Sequence, residues 1–464
     1  MTQETIPKLP EDFEQQMSSM MGDKNYLEFK NALLKPSKSS IRLNSAKSCQ
    51  MDFEATPVPW NVEGYFLNKR PKFTLDPLFH AGAYYVQEAS SMFIQHILES
   101  IHAPKSGLYL DLCAAPGGKS SLLSSYLGDE GMLLANEVIK ARSSILRENM
   151  IKWGLGNTLV TNNDPDHFEP LEGLFDLVLV DAPCSGEGMF RKDPQAREEW
   201  SLENVQLCAA RQQRILDRAG ALAGEGGYLI YSTCTFNENE NENMIRFLTQ
   251  EFAYEPVRIP LEADWGIVET STETEEGTFY GYRFFPHLVD GEGFFITVLK
   301  RPEDTYFQNP KRQKEFKHPF IKRANKQERA HIANEVGLDD NWAMYRLKDS
   351  YFALKTEWEK HFEHIASILK IRYFGTELGK FNKGQFIPTH DWAVSILPKK
   401  QFPSFEISLD EALSYLRKED LTLDIPEGGW VLLTYKKLPI GWVKNIGNRI
   451  NNYYPKEWRI RMRD

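Results

Sequence analysis

Between residues 107 and 234, five short apolar runs alternate with helical patterns, and no other feature constrains the fold as tightly. The runs are GLYLDLCAAPGG (107–118), GMLLANE (131–137), NTLVTNND (157–164), FDLVLVDAP (175–183) and GGYLIYSTC (226–234). Helical patterns at 119–127, 140–154 and 204–223 fall between them. A strand apolar on successive residues is buried on both faces, and the alternating helices supply the covering layers. The expected core is an α/β, Rossmann-like, doubly wound parallel sheet. FYGYRFFPH (279–287) and GEGFFITVLK (291–300) read as antiparallel additions.

The flanking regions differ in character. Residues 1–100 read as a small mixed α+β domain. Phe13, Met17, Met20 and Met21, then Tyr26, Phe29 and Leu33, carry helical spacing. SIRLNSAKS follows as a short strand, PVPW (57–60) as a turn, and EASSMFIQHILESI (88–101) as a helix. The central domain spans 101–300, and a basic linker is expected over 301–328. Two small mixed domains follow at 329–390 and 391–464, with turns expected at GTELGKFNKG, PEGGW and LPIGW.

Composition excludes several classes. With 41% hydrophobic and 26% charged residues, the chain is neither disordered nor a coiled coil. Its five cysteines are too few for a disulfide scaffold and lack structural-zinc spacing, which points to a reducing, cytoplasmic setting. No apolar run is long enough to span a membrane, and MTQETIPKLPEDF lacks a signal-peptide pattern. The net charge of -10 opposes indiscriminate nucleic-acid binding, yet basic residues are clustered. Residues 30–50 hold five bases and no acid, 301–330 nine bases against four acids, and 431–464 eight against two. Such segments flanking one core suit an enzyme that binds a polyanion.

AAPGGKS, Ala114 to Ser120, follows a strand and opens a helix. Gly117 and Gly118 permit a tight turn, and the helix start suits an anion. The phosphate-loop and dinucleotide fingerprints are absent. Acids close three successive strands: Asp111 before the loop, Glu137 placed for ribose hydroxyls, and Asp164 placed for an adenine edge. A nucleoside with a charged tail satisfies this set, and S-adenosyl-L-methionine is the expected cofactor.

DAPCSGEG (181–188) and STCTFNENENE (232–242) follow the fourth and fifth strands, whose ends converge on one crevice. Cys113, Cys208 and Cys49 suit buried structural positions, whereas Cys184 and Cys234 sit in exposed turns. A thiolate adding at carbon 6 of cytosine makes carbon 5 nucleophilic enough to take a methyl group. An acid near ring nitrogen 3 stabilises the adduct, a place that suits Asp181.

The sequence resembles the Nop/Sun family of RNA cytosine carbon-5 methyltransferases. HAGAYYVQEASSM, DLCAAPGGKSS, ANE, DAPCSGEGMFRKDP and YSTCTFNENENE carry the likeness over about 28–300. The resemblance implies that Cys234 is the nucleophile, Cys184 assists release, and Asp181 and Lys119 complete the catalytic set. It implies cofactor contacts from Cys113, Ala114, Ala115, Pro116, Gly117, Gly118, Lys119, Glu137, Arg142, Asp164 and Asp181, with no metal. Arg191 to Pro194 resemble a substrate-side loop. Residues 438–461 resemble the PUA-related RNA-binding domain of the branch that modifies small-subunit (16S) ribosomal RNA. Ribosomal RNA or the small subunit is then the expected partner, with a monomeric enzyme. A tRNA substrate with the same chemistry remains the alternative. A DNA cytosine methyltransferase would place its nucleophile at Cys184 instead. Of Tyr453, Tyr454 and Trp458, at least two are expected in the core of the last small domain.

Overall fold

The computed structural model describes residues 8–48, 50–303 and 316–463; Cys49 and part of the expected linker lie outside them. The five apolar runs form parallel strands β1 (Leu108–Asp111), β2 (Met132–Asn136), β3 (Thr158–Thr161), β4 (Phe175–Asp181) and β5 (Ala223–Thr233). Every residue of β1, β2 and β3 is buried, as cover on both faces requires. Helices α1 (Gly118–Leu127), α2 (Lys140–Trp153), α3 (Leu202–Ala219) and α4 (Glu242–Phe252) follow in chain order.

Four more strands extend this sheet: β6 (Val268–Thr274), β7 (Gly277–Phe284), β8 (Phe294–Lys300) and β9 (Ile371–Phe374). The order is β6-β7-β8-β5-β4-β1-β2-β3-β9, with Glu255–Pro256 paired beside β8. β7 and β8 are the expected antiparallel additions. β6 and β9 are strands that the sequence pattern did not signal. β9 lies far beyond residue 300 and pairs antiparallel with β3. Strand order reverses between β1 and β4, so the loops after them open into one crevice.

Helices Glu11–Met21 and Asp23–Leu33 form a hairpin at Gly22. Their Phe13, Met17, Phe29 and Leu33 pack on Phe190, Trp200, Phe236 and Phe285, which belong to loops at the crevice end of the sheet. Behind the hairpin, Ser39–Leu43 joins a four-stranded antiparallel sheet with Ala55–Val58, Asn61–Leu67 and Tyr84–Tyr85.

Past residue 316 lie a five-stranded and a four-stranded sheet. Two expected turns are corrected here. LPIGW lies inside the strand Leu438–Asn445, and the chain reverses just before it, at Lys436 and Lys437 with φ of 47° and 67°. Gly441 marks close packing instead of a turn: a Cβ there would stand 1.9 Å from Tyr415 Oη. GTELGKFNKG is mostly the strand Thr376–Asn382, which reverses only at Lys383 and Gly384. Tyr454 is 1% exposed and Trp458 packs partly buried against the core, while Tyr453 is 37% exposed. Ile41, Leu78 and Tyr84 share one cluster with Tyr415, Leu416 and Val431, so the amino- and carboxyl-terminal sheets have a common core.

Candidate active site

The loop after β1 turns into α1 through Gly117, whose φ of 115° favours glycine. Asp111, at the end of β1, is fully buried. One carboxyl oxygen accepts from Ser120 Oγ at 2.6 Å, and the other has no partner among the described residues. Burial, opposed by the Ser120 hydrogen bond and reinforced by Asp181, pushes this carboxyl up to about 7. Burial likewise pushes the Cys113 thiol up, with Asp111, Asp181 and Glu137 adding to it.

The loop is braced from outside. Buried Arg42 donates to Ser121 Oγ at 2.6 Å, to Gly118 O at 3.4 Å and to Gln87 Oε1 at 2.8 Å. Its guanidinium lies 4.6 Å from the Trp153 ring centroid. Asn149 of α2 donates to Pro116 O at 2.8 Å. Arg142 NH2 donates to Ala115 O at 2.8 Å, and its NH1 stands 3.4 Å from Glu137 Oε2. Glu137 is buried after β2, and its Oε1 accepts from Ile139 N at 2.8 Å. Asp164 is engaged nearer the surface, accepting from Asp166 N at 3.2 Å and from Arg214 at 2.7 Å. Against the cost of burial, those hydrogen bonds hold its carboxyl below the usual range.

The ends of β4 and β5 bring Cys184 and Cys234 together, with their Sγ atoms 3.0 Å apart. The hydrogen bond with Cys234, and then burial, push the Cys184 thiol well above its usual range. Lys119 Nζ stands 2.8 Å from Asp181 Oδ2, and Ser232 Oγ donates to Asp181 Oδ1 at 2.8 Å. Burial disfavours the Lys119 ammonium, but Asp181, Asp111 and Cys234 together keep its pKa above the usual value. The four expected catalytic residues therefore form one cluster.

Its framework was not legible as individual residues. Glu240 accepts from Ser185 N and Gln212 Nε2, each at 2.9 Å. Glu187 accepts from Phe236 N at 2.9 Å and Trp200 Nε1 at 3.0 Å. Gly188 N donates to Cys234 O at 2.8 Å, so the cysteine loops are laced both ways. The buried pair Arg283–Glu242, 2.6 Å apart, supports the second loop through a 2.7 Å bond from Arg283 to Phe236 O. The one available signal was acids inside glycine- and asparagine-rich turns, and alternation in NENENE does not say which acid points inward. Arg191, expected on the substrate side, is instead turned inward, donating to Glu292 at 3.0 Å and to Gly291 O. Lys192 and Asp193 of that loop are exposed. Cys208 is buried in α3, as expected.

Three family models match the chain. A family described as 16S rRNA methyltransferase RsmB/F matches residues 100–300. The N-terminal domain of 16S rRNA methyltransferase RsmF matches 9–89, and the methyltransferase RsmF PUA domain matches 402–460. Ribosomal RNA small subunit methyltransferase F of Erwinia tasmaniensis is 32% identical over 473 residues, covering 97% of this chain and 96% of its own. The chain belongs to the RsmF family of 16S rRNA methyltransferases. The Salmonella agona member is 32% identical with the same coverage. A methyltransferase homolog from Pyrococcus horikoshii is 28% identical with a TM-score of 0.54, over 63% of this chain and 95% of that one. NSun6 from Pyrococcus horikoshii with SFG, at 18% identity and a TM-score of 0.53, covers 64% and 99% and shares the fold.

As a member of the RsmF family, the chain is an RNA methyltransferase, and its cofactor is S-adenosyl-L-methionine. The residues present fit that cofactor. The α1 amino terminus suits its carboxylate, buried Glu137 suits ribose hydroxyls, and Asp111 retains an unpartnered oxygen. Among the described residues no His, Cys, Asp and Glu group is arranged to hold a metal ion. No helix among them is long and apolar enough to cross a membrane.

Proposed function

We propose that the protein methylates carbon 5 of a cytosine in 16S ribosomal RNA, with Cys234 as nucleophile. The observation that carries this reading is the 3.0 Å contact between Cys184 and Cys234 beside the Lys119–Asp181 pair. Methylation of an amine or a hydroxyl has no use for two apposed thiols. Cys234 adds to carbon 6, while Asp181, held by Lys119 and Ser232, positions the ring near nitrogen 3. S-adenosyl-L-methionine, which the Ala114 to Lys119 loop and Glu137 would hold, would supply the methyl group to carbon 5 and leave as S-adenosylhomocysteine. A solvent base, assisted by Cys184, then takes the carbon 5 proton; the electron pair of that bond re-forms the 5,6 double bond and the carbon 6–sulfur pair leaves with Cys234 as thiolate.

Cys184 belongs to the release phase. Its Sγ stands 3.0 Å from that of Cys234, close enough to act on the adduct formed there. Cys184→Ala incubated with labelled rRNA should give a protein–RNA band that survives denaturation, and the double substitution should give none. A band from Cys234→Ala alone would reverse the two roles.

A further inference from the structure

A cavity of about 490 Å³ lies between the amino-terminal helical hairpin and the β6–β7 edge of the central sheet. Met20, Met21 and Phe285 give it apolar walls, and Asn25, Glu28, Ser271 and His287 give it polar edges. The Phe285 ring stacks on Phe236 at 5.5 Å and 13°, two residues beyond Cys234. His287 Nδ1 is buried with no hydrogen-bond partner among the described residues. A buried polar atom of that kind asks for a partner.

Strand register places this cavity at the same end of the sheet as the nucleophile. Thr233 pairs with Phe295 on β8, Phe294 pairs with Phe284 on β7, and Arg283 pairs with Val268 on β6. The cavity begins two strands away from Cys234, about 10 Å at roughly 4.8 Å per strand. Stacked nucleotides rise about 3.4 Å per step, so this distance lies within a few nucleotides of the target. Charge narrows the occupant. Glu238 pairs with Arg246 and Glu242 pairs with Arg283, leaving Glu28 to make the wall net acidic. Such a wall repels phosphate but accepts hydrogen bonds from base amino groups. Extruding a cytosine also unstacks its neighbours, which then need new faces.

We propose that this cavity holds a nucleobase flanking the target cytosine, stacked against Phe285 and the two methionines and recognised at its amino edge by Glu28, Asn25 and His287. The proposal deepens the reading of a cytosine in rRNA as substrate and rests on it. A base with an exocyclic amine is favoured over uracil.

The test is a cycle between protein and RNA. Ser271→Trp, at an exposed position of edge strand β6, fills the cavity without touching the thiols or the cofactor loop. Met20→Trp fills it from the opposite wall. Target RNA carries an abasic nucleotide at each position flanking the cytosine in turn, and equilibrium RNA affinity is measured beside methyl transfer. One abasic position should weaken binding by the native protein about tenfold, the effect of one lost stacking contact. Ser271→Trp and Met20→Trp should lose a similar factor on intact RNA and nothing further from that abasic position. Cofactor affinity should stay native in both, which shows that they fold. Losses that multiply, or unchanged RNA affinity in whichever variant folds, would overturn the proposal. Absence of 5-methylcytosine with native protein would sink the reaction assigned above, while the binding cycle would still report on the cavity.

Discussion

At the scale of single residues, the site separates bonding from holding. Cys234→Ala should lower methyl transfer at least about a thousandfold, because it removes the thiol assigned to attack carbon 6. Cofactor affinity should be untouched, as measured by calorimetric titration, since the loop and Glu137 do not depend on that thiol. Glu137→Ala should behave in the opposite way. It removes a buried acceptor worth about 1.5–3 kcal/mol for hydrogen bonds to a charged group, so cofactor affinity should fall at least about tenfold. Unchanged affinity would take Glu137 out of the cofactor site. Cys184, Cys234 and Asp181 were legible in the sequence because a thiol at a strand end sits where side chains meet a crevice. Glu187 and Glu240 were not, because their roles depend on which way a turn folds its carboxylates.

At the scale of elements, α1 is held in place by parts of the chain outside the central sheet. Arg42 comes from the amino-terminal sheet and reaches the first turn of α1 at Gly118 and Ser121. It is buried, and burial lowers its pKa to about 9. Arg42→Ala leaves Gln87 and Ser121 without their donor and should cost about 2–4 kcal/mol of stability, measured by denaturant unfolding. Arg42→Lys should recover part of that, but a single ammonium cannot reproduce the planar fork or its stacking on Trp153. The KM for S-adenosyl-L-methionine should rise in Arg42→Lys while RNA affinity holds; equal loss of both would reduce Arg42 to a purely structural role. The main strands were legible because runs such as LVLV (177–180) are apolar on successive residues. β6 was hidden in an acid-rich segment, since an edge strand needs only one covered face. β9 was hidden because pairing with β3 is a long-range event that leaves no local pattern. LPIGW looked like a turn because proline and glycine mark turns locally, whereas Gly441 answers to Tyr415, brought against it by a separate helix.

At the scale of the whole molecule, Lys47 and His80 of the amino-terminal region, Lys152 of α2 and the last 75 residues of the chain meet around buried His390, a junction that no local pattern announces. Tyr454 Oη stands 3.5 Å from His80 Nδ1, although 374 positions separate them. His390 is buried, and neither ring nitrogen has a partner among the described residues. Its ring meets those of Tyr454 and Trp458 edge-on, with centroids 5.0 and 5.3 Å away. Burial, then the charges of Lys152, Lys47 and His80, press its pKa down to about 3. The unfolded chain takes up that proton near about 6.5, so the unfolded state binds more protons over the interval between. The contribution of His390 to stability is therefore complete above about 6.5 and is lost as pH falls toward 3. His80, pressed to about 4 by burial and Lys152, acts in the same direction. Asp391, raised to about 7 by burial, acts in the opposite one, losing stability as pH rises from about 4 to 7. His390→Phe keeps an aromatic ring in place and removes the proton-binding site. Urea midpoints at pH 7 and pH 5 should fall further apart in the native protein than in this variant. An equal fall in both would mean that the acid sensitivity of the three-way junction lies with groups other than His390.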